Sequence, residues 1–121
     1  MNTILWNDFR NSIKNYLHYK ELDAFIKTII EKEKPHQIIL FGSLTQNRYH
    51  YESDADLFVI LDQVIDIPSM KKKLLSYSPF DDETIDPFPY SAEEFNELAK
   101  NQGLFIYHSL KKSVLIYERT I

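Results

Sequence analysis

The sequence predicts an α/β (α+β) domain with one small mixed β-sheet of about four strands flanked by helices. Three observations carry this expectation. Gln37–Phe41 and Asp54–Leu61 are short, almost wholly apolar runs, the pattern of buried strands. Other stretches repeat apolar residues at helical spacing: Trp6, Phe9, Ile13 and Leu17, then Leu22, Phe25, Ile26, Ile29 and Ile30. Strand-like and helix-like stretches also interleave along 121 residues, with no repeat, low-complexity segment or linker, which suits a single domain, 1–121.

In chain order, a first helix is expected from Trp6 to about Leu17. A second ends before Pro35, and the two are continuous or kinked near His18-Tyr19. Together they form an N-terminal helical segment, 1–34, packed on the rest. The first strand is Gln37–Phe41. A short helical turn then covers Ser43 to Arg48, and Tyr49 to Ser53 is a loop before the second strand, Asp54–Leu61. A helix over Ser69–Tyr77 carries Lys71-Lys72-Lys73, and Glu83–Phe88 is a short third strand. Ser91 followed by Glu94 is a capping box that opens a helix running toward Lys100 and closing near Gly103. Leu104–Lys111 is a last helix and Val114–Tyr117 a last strand.

Composition limits the function classes. Hydrophobic residues make up 44% and aromatics 14%, enough for a core. There is no cysteine, hence no disulfide framework or thiolate metal site, and the composition is compatible with a reducing cytoplasm. No apolar stretch approaches membrane-spanning length, and Met1-Asn2-Thr3 does not open a signal peptide. The net charge of −4 argues against a broad nucleic-acid surface.

The most informative pattern is Gly42-Ser43, ten residues, then Asp54-Ala55-Asp56. Residues i and i+2 of a strand share a face, so Asp54 and Asp56 should converge. Two such carboxylates repel and raise one pKa unless a cation sits between them. Mg²⁺ suits them, because it takes hard oxygen ligands and is often held by carboxylates together with substrate phosphates. An Asp-x-Asp alone is as well explained by a surface turn. Here it leads into five apolar residues, Leu57 to Leu61, which makes it the entrance to a buried strand. Gly42, directly after a strand, lets backbone approach a ligand closely. Ser43 adds a hydroxyl and an N–H, and a following helical turn would aim further N–H groups at an anion.

These residues resemble the nucleotidyltransferase superfamily related to DNA polymerase beta, and most closely its minimal nucleotidyltransferase (MNT) branch. The resemblance runs from about Glu21 to the C-terminus. It implies the nucleotidyltransferase fold. It also implies a third carboxylate on a later strand ahead of a Ser/Thr-Pro/Ala-Glu-Glu-Phe pattern. Asp86, preceding Ser91-Ala92-Glu93-Glu94-Phe95, matches that place, whereas Asp81-Asp82 look like a polar turn after Pro79. Leu115-Ile116-Tyr117-Glu118 resembles the family's closing strand. Two positions depart from the pattern: Asn47 stands where a second glycine is common, and Leu44 where a basic residue often follows the serine. Asparagine tolerates a positive φ, so the turn can survive.

The resemblance implies transfer of a nucleoside monophosphate from a triphosphate, with ATP as the expected donor. Asp54 and Asp56 would bridge two Mg²⁺ ions, Asp86 would complete the site, and Gly42 and Ser43 would hold the β- and γ-phosphates. It further implies an antitoxin that binds a HEPN-type ribonuclease toxin and transfers AMP to one of its tyrosines. Two alternatives stay open. One is a small-molecule transferase of the aminoglycoside type, whose acceptor-binding helical domain has no counterpart here. The other is a binding module that neutralises a partner without catalysis. A homo-oligomer is compatible with either, and membrane association is not expected.

The remaining features have bland readings. Lys71-Lys72-Lys73 reads as a solvated helix face, because adjacent ammonium groups repel and seek water. His36, His50 and His108 are too scattered for a metal site, and His18 reads as packing among aromatics. Arg48, Tyr49, His50 and Tyr51 could line a nucleotide or acceptor pocket or form a plain surface loop.

Overall fold

The computed structural model describes residues 1–46 and 51–120. Asn47, Arg48, Tyr49 and His50 lie outside the described residues, so the expectations placed on them are neither met nor missed.

The described chain forms β1 (Asn2–Thr3), α1 (Trp6–Phe9), a 3-10 turn (Arg10–Ile13), α2 (Tyr19–Glu33), β2 (Gln37–Phe41), a second 3-10 turn (Ser43–Thr45), β3 (Ala55–Leu61), α3 (Ile67–Leu75), β4 (Ile85–Ser91), α4 (Ala92–Ala99), α5 (Phe105–Leu110) and β5 (Ser113–Glu118). One mixed sheet has the order β1-β5-β2-β3-β4. β2 runs antiparallel to both β3 and β5, whereas the β3–β4 and β1–β5 pairs are parallel.

Side chains alternate across this sheet. Ile38, Leu40, Leu57, Val59 and Ile116 share one cluster with Trp6, Phe9, Ile13, Phe25 and Leu74. Ile39, Phe41, Phe58, Ile60 and Leu115 share the other with Phe95 of α4 and Ile106 of α5. Both faces are therefore covered by helices, which is why β2 and β3 read as unbroken apolar runs rather than alternating ones.

The sheet has five strands rather than about four. The added strand, β1, is two exposed polar residues paired with Val114 and Leu115, and it carries no periodic signal of its own. The first helix is also shorter than its apolar spacing predicts. It ends at Phe9 and gives way to a 3-10 turn. The Ser12 hydroxyl donates to the Phe9 carbonyl (2.7 Å) and the Asn11 amide to the Asn7 carbonyl (3.4 Å), local bonds that compete with helix continuation. The second helix stops as expected before Pro35, through Lys34 in the left-handed conformation (φ 46°).

β4 extends to Ser91, beyond the expected Phe88, in spite of Pro87 and Pro89. The Ala55 N–H bonds the Thr84 carbonyl (2.8 Å), so the even-numbered residues of β4 face β3 for hydrogen bonding. Both prolines consequently fall at positions whose N–H would point away from the sheet. They cost no ladder bond and block the outer edge against further pairing. The predicted cap of α4 is present, with the Ser91 hydroxyl accepting from the Glu94 N–H (3.2 Å). Asp66 caps α3 in the same way, accepting from the Ser69 N–H. No helix of the described residues is long and apolar enough to cross a membrane.

Candidate active site

The register of the sheet aligns three residues in one row. Phe41 of β2 lies opposite Asp56 of β3, and Asp56 lies opposite Asp86 of β4. Residues so paired point to the same face, so the two carboxylates stand on neighbouring strands about 4.8 Å apart in backbone spacing. Asp54, the expected first residue of this strand, sits immediately before β3, which starts one residue later, and its side chain is exposed. Asp86 is buried, and Asp56 is half-buried.

Burial is the largest influence on Asp56, followed by the charges of Asp86 and Asp54. Together they push its carboxyl up to about 6, with Lys71 acting in the opposite direction. The convergence expected from Asp-x-Asp is thus felt, but the cross-strand neighbour Asp86 acts on Asp56 more strongly than Asp54 does.

Gly42 is placed against this row. Its backbone has φ 82° and ψ −152°, a combination essentially confined to glycine. A Cβ built there would lie 2.7 Å from Asp56 Oδ2. The glycine is thus required twice, by its own backbone and by the carboxylate packed on it. Ser43 opens a 3-10 turn in which the Thr45 N–H bonds the Gly42 carbonyl and the Gln46 N–H bonds the Ser43 carbonyl, both at 3.1 Å. The expected helical turn is therefore present but shorter than Ser43 to Arg48: it ends at Thr45, and Gln46 is already extended. The structure thus brings Gly42, Asp56 and Asp86 together, with Ser43 and Asp54 at the margin.

Four contributors escaped the sequence reading. The Thr45 hydroxyl lies 2.8 Å from both the Gly42 and the Lys112 carbonyls, tying the turn to the chain before β5. The Tyr16 hydroxyl donates to the Ser53 carbonyl (2.5 Å), and the Leu17 N–H bonds the Tyr51 carbonyl (3.1 Å). The N-terminal segment therefore holds the approach to Asp54 from 37 residues away in sequence. Burial, then Asp54 and Asp56, raise the Tyr16 phenol well above its ordinary range, so it stays a hydrogen-bond donor. Tyr16→Phe removes the bond to Ser53, and the expected cost is about 1 kcal/mol, a fall in Tm of about 4 °C measured by thermal unfolding.

Lys71 is the third, and here the structure corrects the reading of the lysine run. Lys72 and Lys73 are exposed, and Lys73 pairs with Glu33 (3.3 Å). Lys71 instead places its Nζ 2.7 Å from Asp86 Oδ1 and 4.0 Å from the centre of the Phe88 ring. Phe105 is the fourth. It is half exposed beside Phe41 and Phe88, and it extends an aromatic surface from the acidic row. His18 packs between Tyr16 and Phe80, as expected. A cavity of about 400 Å³ between the N-terminal segment and Leu44–Gln46 contains none of the three aspartates.

A family model described as "Polymerase beta, Nucleotidyltransferase" matches residues 24–121. The chain belongs to the polymerase beta nucleotidyltransferase family. The fold agrees. A crystal structure from Sulfolobus solfataricus, of a protein provisionally described as a nucleotidyltransferase, superposes with a TM-score of 0.57 at 16% identity, over 89% of this chain and 87% of that one. No curated protein gives a significant match. Tyr16 and the first part of the N-terminal segment lie outside the stretch that the nucleotidyltransferase model matches.

Members of this family generally use a nucleoside triphosphate and a divalent metal ion, and the donor set here suits such an ion. It consists of carboxylate oxygens only, and burial first, then the charges of Asp86 and Asp54, raise the Asp56 carboxyl. As the side chains stand, no group of three His, Cys or acidic residues among the described residues is assembled to hold one. Asp86 is paired with the Lys71 ammonium.

Proposed function

We propose that this nucleotidyltransferase transfers a nucleoside monophosphate, from ATP in the first instance, to a hydroxyl group, and that Asp54, Asp56 and Asp86 are its catalytic carboxylates. The observation that carries the reading is the Asp56–Asp86 pair, set across β3 and β4 against a glycine that leaves no room for a side chain.

Asp54, Asp56 and Asp86 would hold Mg²⁺. When bound, the metal would supply charge neutralisation for the triphosphate and for the charge that develops in an in-line displacement. Gly42 and Ser43 present backbone and a hydroxyl to the β- and γ-phosphates. The aromatic surface of Phe88 and Phe105 offers a planar base a stacking face. The acceptor oxygen forms a bond to the α-phosphorus while the bond from that phosphorus to the bridging oxygen breaks, and pyrophosphate leaves. Asp86 takes the acceptor's proton.

The acceptor in this proposal is a tyrosine of a separate protein, a HEPN-type toxin that the modification neutralises. The resemblance to the minimal branch supports a macromolecular acceptor of that kind. The Lys71–Asp86 pair favours one second reading, a partner-binding protein without catalysis, because it already neutralises one of the carboxylates.

Label transfer separates the two. The full chain is incubated with Mg²⁺ and α-labelled ATP, CTP, GTP or UTP, with and without the neighbouring gene's product. Label on that protein, lost in an Asp54→Asn, Asp56→Asn double variant, is the expected result. A stable complex without label from any nucleotide, and neutralisation that survives the double substitution, would overturn transfer in favour of binding alone.

A further inference from the structure

Lys71 is one residue beyond Met70 and three before Leu74, both of which pack into the cluster on the first face of the sheet. It therefore lies on the margin of the apolar stripe of α3 rather than on its solvent side. From there its chain passes the β4 edge to the second face, where Asp86 and Phe88 stand two residues apart on the same side of the strand. The contact is well made. The ion pair is 2.7 Å long, the Lys71 and Asp86 side chains are 26% and 12% exposed, and the ammonium also sits over an aromatic face. The charge of Lys71 reaches Asp56 as well.

From this geometry we propose that the Lys71 ammonium is the resident counter-ion of the carboxylate row, and that a divalent cation must displace it from Asp86 to bind. Lys71 thereby sets how tightly this chain takes up the metal. The inference rests on the carboxylates being the metal-holding groups of the proposed transfer. A merely structural ion pair joining α3 to β4 predicts something different: its loss would weaken the fold and leave metal affinity unchanged.

Lys71→Met keeps most of the side chain's length and its packing on Phe88 while removing the charge. Mn²⁺ binding to the full-length chain, without nucleotide, is measured by titration calorimetry for the wild type, Lys71→Met, and Lys72→Met as an exposed control. Melting temperatures are recorded in chelator and in Mn²⁺. The expected result is an Mn²⁺ Kd about tenfold lower in Lys71→Met, with a lower Tm in chelator, a larger rise in Tm on adding Mn²⁺, and Lys72→Met like the wild type. An Mn²⁺ Kd in Lys71→Met equal to or higher than that of the wild type would overturn the proposal, as would absence of Mn²⁺ binding in every variant. Tighter Mn²⁺ binding by Lys71→Met with no nucleotidyl transfer by the wild type would count against the transfer reading and leave the counter-ion role standing.

Discussion

Asp56→Asn is expected to abolish nucleotidyl transfer and, in the absence of metal, to raise the melting temperature. The two effects share a cause. Asp56 is half-buried beside Asp86 and Asp54, which pushes its carboxyl up to about 6. A carboxyl whose folded pKa lies above its unfolded one stabilises the fold fully below the unfolded value, near pH 4. That contribution is lost as pH rises through about 6. The wild type therefore carries a penalty at neutral pH that an uncharged, nearly isosteric side chain does not. Discounted for partial exposure, the gain is on the order of 1 kcal/mol, or about 4 °C. The check is a pair of thermal melts in chelator, at pH 4.5 and pH 7.5. The Tm difference, variant minus wild type, should be small at the lower pH and widen at the higher. Using the difference cancels carboxylates such as Asp23 and Asp62, whose lowered values act in the opposite direction. Activity should fall by on the order of 10³-fold, the scale seen when a group aimed at transition-state charge is removed. A gap that narrows with rising pH would show that Asp56 is not held under repulsion.

Gly42→Ala should be the most damaging single-atom addition in the chain. The backbone at Gly42 lies where an L side chain costs about 1–3 kcal/mol in strain. The added methyl would also stand 2.7 Å from Asp56 Oδ2, so either the turn or the carboxylate must move. We expect Tm to fall by about 10 °C. Activity should drop on the order of 10²-fold, because a displacement of about 1 Å in a positioned group is enough for that. Gly103→Ala is the internal comparison. Its Cβ would meet only the Asn101 side-chain oxygen, at 3.3 Å, and its φ is not in the left-handed region. Thermal unfolding of the two variants side by side decides the matter. Equal, small losses would mean that the Gly42 turn is not held as described.

Much of this organisation was legible in the residues. The apolar runs Gln37–Phe41 and Leu57–Leu61 read as buried strands and are covered on both sides, and the spacing of Leu22, Phe25, Ile26 and Ile29 reads as a buried helical face. Ser91 and Glu94 announce a helix start because the cap is a local bond between neighbours in sequence. The distance from Gly42-Ser43 to Asp54 and Asp56 is chemical information of the same local kind. Gly42-Ser43 follow β2 and Asp54-Ala55-Asp56 lead into β3, and these two strands pair directly.

What only the tertiary structure decided depends on contacts between residues far apart in sequence. Asp86 meets Asp56 because β4 pairs in parallel with β3, a register that no local pattern encodes. The family pattern, rather than the residue itself, distinguished it from Asp81 and Asp82. β4 tolerates Pro87 and Pro89 because it is an edge strand, and an edge is defined only by the order of the sheet. Tyr16 reaches Ser53 across 37 residues. Lys71 is the clearest case. In a run of three lysines solvation is the sound local expectation, and it holds for Lys72. The position of α3 beside β4 decides that one ammonium of the three lies against a buried carboxylate. The sequence by itself determined most of the strands and helices and pointed to Gly42, Ser43, Asp54 and Asp56 as candidates, because periodicity, capping and motif spacing are local. The tertiary structure decided which charges face one another, because electrostatic pairing depends on distance in space and not on distance along the chain.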